Sequence, residues 1–179
     1  IVDMVLRGLL DLGLVRGPLK HNSLVVQPLY QEEVVFICPA DHPLAEKESI
    51  SPRELGQAPL LAYDKLSNTW EAVMRWFQQA RITPRIIMEL DHVETCKQMV
   101  TAHRGVSFLP LTAVAEELEE GTLITVPLRP PLNIYKETAF IYHKKRPLLP
   151  CAKQFLSFVL EHPLPLIQGV PQRKKSGTA

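Results

Sequence analysis

The sequence predicts an α/β protein built on mainly parallel sheets. Segments of strand length alternate with segments of helical periodicity through most of the chain. Residues 34–38, VVFIC, form a continuous apolar run, the mark of a strand buried on both faces. Residues 91–110, DHVETCKQMVTAHRGVSFLP, read as a helix followed by a short buried strand. A helix start beside a strand end is where open α/β sheets bind their ligands.

Composition bounds the rest. A chain of 179 residues can bury a full core as one domain or two small lobes. Its 46% hydrophobic content is ordinary for a globular protein. Twenty basic residues face 19 acidic ones, which leaves no electrostatic footprint for nucleic acid over the body of the chain. No apolar run approaches the ~20 residues a membrane helix needs, and no signal peptide is visible. Three widely spaced cysteines, Cys38, Cys96 and Cys151, fit a reducing compartment better than a disulfide framework and read as small hydrophobes.

The elements follow in order. Ile1, Met4, Val5 and Leu9 share one face of a helix already under way at the first residue. Residues 10–15 read as a strand whose carboxyl end presents Arg16, followed by Gly17 and Pro18. Residues 24–29 and 33–38 read as two further strands, with Pro39 ending the second. In the turn that follows, His42 is expected to satisfy backbone groups, in preference to a catalytic role. Ser51 and Pro52 open a short capped helix. A strand over 59–63 leads through a polar loop to a helix with Trp70, Val73, Met74 and Phe77 inward. There Asn68 and Glu71 have capping-box spacing, which leaves Ser67 and Thr69 as spare donors beside a helix start. A strand over 85–90 precedes the 91–110 stretch, where Asp91 can cap the helix, Val93, Cys96, Met99 and Val100 form its apolar face and Gly105 turns the chain. Thr112 is expected to cap a further helix whose glutamates, Glu116, Glu117, Glu119 and Glu120, form a solvated face. Strands over 122–126 and 135–143 and a helix with Ala152, Phe155, Leu156 and Val159 inward complete the pattern. The basic segment 172–176 reads as a disordered tail.

The ordered set of residues from Asp91 to Pro110, D-x-V-E-x-x-K-x-M-V-x-x-x-x-G-V-S-x-L-P, the segment LDLGLVRG at 10–17 and HPLA at 42–45 resembles the effector-binding domain of LysR-type transcriptional regulators over residues 1–162. The resemblance implies a two-lobed clamshell like type 2 periplasmic binding proteins, with residues 1–38 and 143–162 in one lobe and 39–142 in the other. It implies that a first strand and helix of the first lobe, a linker helix and a DNA-binding helix-turn-helix are missing here. It further implies a cytoplasmic homo-oligomer, a dimer or tetramer, that meets promoter DNA only through that missing domain and has no membrane partner. The partner of this chain would be a small metabolite, anionic or aromatic, held between the lobes.

The effector-binding residues expected on this basis fall into four groups. Arg16, Gly17 and Pro18 close the first strand, with Arg16 placed to fork onto a carboxylate. Ser67, Asn68 and Thr69 open one helix, and His92, Val93 and Glu94 open another. Phe108 and Pro110 end the strand that follows. Bland alternatives exist for three of them: a surface ion pair for Arg16, ordinary capping for Asn68, a structural loop histidine for His92.

No metal or cofactor is expected, and no enzyme activity: G-x-S-x-G, H-E-x-x-H, C-x-x-C and both glycine-rich nucleotide motifs are absent from the sequence. The alternative function is a solute-binding protein of a transport system, which shares the clamshell. An enzyme with a similar lobe fold would need a catalytic motif that the sequence does not contain.

Overall fold

One 16-residue strand, β2 (Leu24–Pro39), runs where the sequence suggests two. Pro28 does not break it; it is exposed, and a proline is tolerated where its missing N–H is not needed by a neighbouring strand. The computed structural model describes residues 1–17 and 19–162. Among the described residues the chain divides into two compact units, Ile1–Glu32 with Tyr135–His162, and Glu33–Ile134. The divisions fall within or at the ends of the two longest strands, β2 and β7 (Ile134–His143). The basic segment 172–176 lies outside the described residues.

The first unit contains α1 (Val2–Arg7), β1 (Leu12–Arg16), parts of β2 and β7, and α6 (Pro150–Glu161). Its core is small: Val5, Leu24 and Ile141, with Val2, Leu6, Leu10 and Val15 packed around them. The expected face of α1 differs from the buried one. Val5 is fully buried, whereas Ile1, Met4 and Leu9 are 60%, 41% and 67% exposed. Helix α1 has under two turns, so its inward side is set by Val2, Val5 and Leu6. Gly8 closes it in the left-handed conformation at φ 77°. Arg146 then donates to the carbonyl of Val5, which also accepts from the Gly8 amide, and to that of Leu6 at the helix end. On α6 only Leu156 is fully inward; Phe155 is 53% exposed, although its ring meets Phe140 edge-on.

The second unit has two apolar cores, one on each face of its sheet. Val34, Phe36 and Cys38 of β2 enter the first, with Trp70, Val73 and Phe77; Val35 and Ile37 enter the second, with Cys96, Val100 and Leu109. This alternation explains the uninterrupted apolar run. After β2 come a 3-10 turn (Pro43–Glu46), α2 (Pro52–Leu55), β3 (Leu60–Tyr63), α3 (Asn68–Gln79), β4 (Ile86–Leu90), α4 (Val93–Thr101) and β5 (Ser107–Pro110). A second 3-10 turn (Leu111–Ala113), α5 (Ala115–Glu120) and β6 (Leu123–Ile124) follow. His42 accepts a hydrogen bond from the Leu44 amide, as a turn histidine should. Ser51 and Glu54 form the full capping box that opens α2.

The fold is α/β, but the sheets are less parallel than expected. β3 and β4 pair in parallel, and Leu60 bridges Val106 in the same sense. β1–β7, β2–β5 and β2–β6 are antiparallel. A helix between two neighbouring strands enforces the parallel sense, as α3 does between β3 and β4. β2 and β7 enter their sheets without such a crossover, and nothing in their own residues reveals their direction.

Other expectations shift by a residue or change role. The strand expected over 122–126 is reduced to Leu123–Ile124. Thr112 lies inside the second 3-10 turn, and Val114 is the residue that precedes α5. Gly105 does not make the turn after α4; His103 does, at φ 59°. Gly105 is needed for close approach, because a Cβ there would lie 2.5 Å from the Pro59 carbonyl oxygen. That approach lets the amides of Val106 and Leu61 bond to Pro59 and Val106 across the strands.

Candidate functional site

In the second unit, three strands present their carboxyl ends on one side. β3 and β4 are parallel neighbours in register to Tyr63 and Leu90, and β5 shares their direction through the Leu60–Val106 bridge. α3 and α4 therefore both begin at the same edge of the sheet. The Asp64 amide bonds to the Leu90 carbonyl at 3.0 Å, tying the turn after β3 to the end of β4. Two helix starts directed to one edge supply free N–H groups and the positive ends of two macrodipoles.

The cap of α3 is Ser67, in place of Asn68. Ser67 has extended backbone, at φ −82° and ψ 153°, and its Oγ accepts from the Trp70 amide at 3.2 Å. Asn68 is already the first helical residue, too far in to cap, and its side chain is exposed. Thr69 points inward and is 8% exposed. The cap position of α4 likewise falls one residue later than Asp91. His92 is extended and occupies it, but its side chain makes no capping bond. Val93 is half-buried, and Glu94 is exposed on the first turn.

Glu94 does not fold over the start of its own helix. Its Oε2 lies 3.1 Å from the Lys97 ammonium, and its Oε1 accepts from Gln98 at 3.4 Å. The same ammonium lies 2.8 Å from Glu117 Oε1 on α5. Lys97 is only 14% exposed and Glu117 18%, so this is no surface pair. The hydrogen bond to Glu117 raises the Lys97 pKa above its ordinary value, with the contact to Glu94 adding to it. Glu117 is therefore not part of a solvated acidic face as expected. Its other oxygen, Oε2, is buried without a hydrogen-bond partner among the described residues. Sequence reasoning missed this triad because Lys97 and Glu117 belong to different helices. The one local hint was the three-residue spacing of Glu94 and Lys97.

Phe108 faces the core and is 3% exposed, packed edge-on against Phe36 with ring centroids 5.8 Å apart. Pro110 is buried opposite Val34. Phe108 also lines a cavity of about 1190 Å³ within the second unit, beside Phe36, Val126, Leu132 and Lys47. None of the residues at the α3 and α4 starts borders that cavity. In the first unit, Arg16 ends β1 opposite Thr138 with its side chain exposed, and the Gly17 amide bonds to the Glu137 carbonyl at 2.8 Å. Pro18 lies outside the described residues. No group of three or more potential metal ligands occurs among the described residues, and no helix there is long and apolar enough to cross a membrane.

Comparison with known proteins gives this geometry a family. Residues 1–163 match the model of the LysR substrate binding domain. The chain is similar to a probable RuBisCO transcriptional regulator of Cyanophora paradoxa, 32% identical over 125 residues, 66% of this chain and 39% of that protein. It is also similar to the RuBisCO operon transcriptional regulator of Allochromatium vinosum, 28% identical over 160 residues, 89% of this chain and 53% of that protein. The chain thus spans about half the length of these relatives, or less. Among solved structures, the regulatory domain of CcmR from Synechocystis PCC6803 in complex with 2-PG shares the fold, with a TM-score of 0.76 at 23% identity over 92% of this chain and 79% of that one. With all of its described residues inside the match, the chain belongs to the LysR substrate binding domain family.

Proposed function

We propose that this chain is the effector-sensing part of a bacterial LysR-type transcriptional regulator acting in the cytoplasm. It binds a small anionic metabolite and passes the binding event, through rearrangement of an oligomer, to a helix-turn-helix domain elsewhere in the same polypeptide. The observation that carries the reading is the family match over residues 1–163. The paired starts of α3 and α4 at the ends of β3 and β4 supply the chemistry such a metabolite needs. Arg16, Gly17 and Pro18 in the first unit, and Ser67, Asn68, Thr69, His92 and Val93 in the second, are the proposed contacts, while Glu94, drawn to Lys97 and Gln98, borders the site without contacting the anion. Phe108 and Pro110 support them from the core. The role is one of binding: the ligand shifts the regulator only by preferring one arrangement of it over another. The transport alternative shares the fold but lacks this match.

The CcmR regulatory domain was solved with 2-PG, which makes 2-PG the first probe. Calorimetric titration of 2-PG and related small acids into the chain is expected to give saturable binding. Operator binding by the full-length polypeptide should then change when the same acid is added. A full-length polypeptide that binds no DNA would overturn the regulator reading.

A further inference from the structure

We propose that Lys97 is a positioning residue that holds the Glu94 carboxylate away from the N-terminus of α4, so that this helix start stays open to an anion. The inference rests on the effector reading above. Glu94 sits on the first turn of α4, where the macrodipole and the unpaired N–H groups attract a carboxylate most strongly. The His92 side chain does not occupy those groups. Glu94 is the acid on that turn and within easy reach of them, yet its two oxygens are drawn the other way, to Lys97 at 3.1 Å and Gln98 at 3.4 Å, one turn along the helix.

An ordinary exposed pair at this spacing contributes about 0.2–0.5 kcal/mol and would not hold a carboxylate against a helix dipole. Lys97 differs because it is anchored. Glu117 on α5 fixes its ammonium at 2.8 Å, in a setting where the lysine is 14% exposed. A fixed cation thus stands beside Glu94 whatever the surface does. Without it, Glu94 becomes a tethered anion next to an anion site. A tethered competitor acts at an effective concentration of the order of millimolar. That is enough to displace a metabolite of modest affinity.

Lys97→Met is therefore expected to weaken binding of 2-PG about three- to tenfold. Glu94→Gln should recover more affinity in the Lys97→Met chain than it adds in the native chain. Equal gains in the two backgrounds would mean that Lys97 contributes only its charge, and would overturn the proposal. Lys97→Met strands the shielded Glu117 carboxylate, so the comparison is repeated in Lys97→Met/Glu117→Gln, which removes both shielded charges. Restoration of affinity by Glu117→Gln alone would likewise overturn it, as a sign that Lys97 acts only through stability. A crystal structure of the variant chain decides the matter without any effector. The Glu94 carboxylate should lie within hydrogen-bond distance of the first-turn amides of α4, and a carboxylate that stays clear of them sinks the inference. If native chain binds no small acid while Glu94 moves as expected, the effector reading fails and the positioning role stands.

Discussion

Lys97 of α4 and Glu117 of α5 form an ion pair of 2.8 Å in which neither side chain is more than 18% exposed. It fastens the helix that starts at the candidate site to the helix before β6. Breaking it by Lys97→Met leaves a shielded carboxylate uncompensated. The cost lies between that of a surface pair, at most about 1 kcal/mol, and that of a fully buried one, about 3–5 kcal/mol. Urea unfolding should show a loss of about 1–3 kcal/mol by the same bounds, much of it recovered on adding Glu117→Gln.

The second prediction concerns acid. Glu54 is held at a pKa of about 2, from an ordinary 4.5, first by its hydrogen bond to Lys47 and then by those to Ser51. A depressed carboxyl pKa contributes stability that is complete above pH 4.5 and is lost as pH falls toward 2. Both partners of the Lys47 pair are substantially exposed, at 42% and 38%, so solvent screening reduces what that contact adds to stability. Glu54→Gln should cost about 0.5–2 kcal/mol at neutral pH. Its unfolding midpoint, followed against pH, should converge on that of the native chain near the bottom of that window.

Ser67 and Asn68 separate capping from mere polarity. Ser67→Ala removes the acceptor of the Trp70 amide and should cost about 1 kcal/mol. Asn68→Ala, at an exposed first helical position, should change stability by less than about 0.5 kcal/mol. Thermal unfolding of the two variants side by side tests the assignment. A larger loss for Asn68→Ala than for Ser67→Ala would return the cap to Asn68.

The cysteines should react unequally. Burial pushes the Cys38 thiol up to about 12 and raises that of Cys96, which donates to Ser107 Oγ at 3.2 Å in the core. Cys151 is exposed at the start of α6. A disulfide reagent at neutral pH should titrate Cys151 rapidly in the folded chain and reach the other two only after unfolding.

Arg16 carries the anion preference proposed for the first unit. Arg16→Ala should weaken an anionic effector by about 1.5–3 kcal/mol, the range of a charge-assisted hydrogen bond. Calorimetry with 2-PG checks this. Unchanged affinity removes Arg16 from the site.

By itself the sequence determined the α/β class, the two-sided burial of residues 34–38, the capped start of α2 and the inward faces of α3 and α4. Each rests on periodicity or on residues within one turn of each other, where local sterics and hydrogen bonding suffice. Adjacent residues also sufficed to suggest helix starts near 67–69 and 92–94, although the caps fell at Ser67 and His92, because backbone direction at a helix entry depends on the strand that precedes it. Only the tertiary structure decided the rest. The antiparallel sense of β2 and β7, the close approach that requires Gly105, the shielding of Glu117 and the placing of Phe108 against Phe36 all depend on partners distant in sequence. Pairing across such distances follows from the packing of whole elements, and no short stretch of residues encodes it.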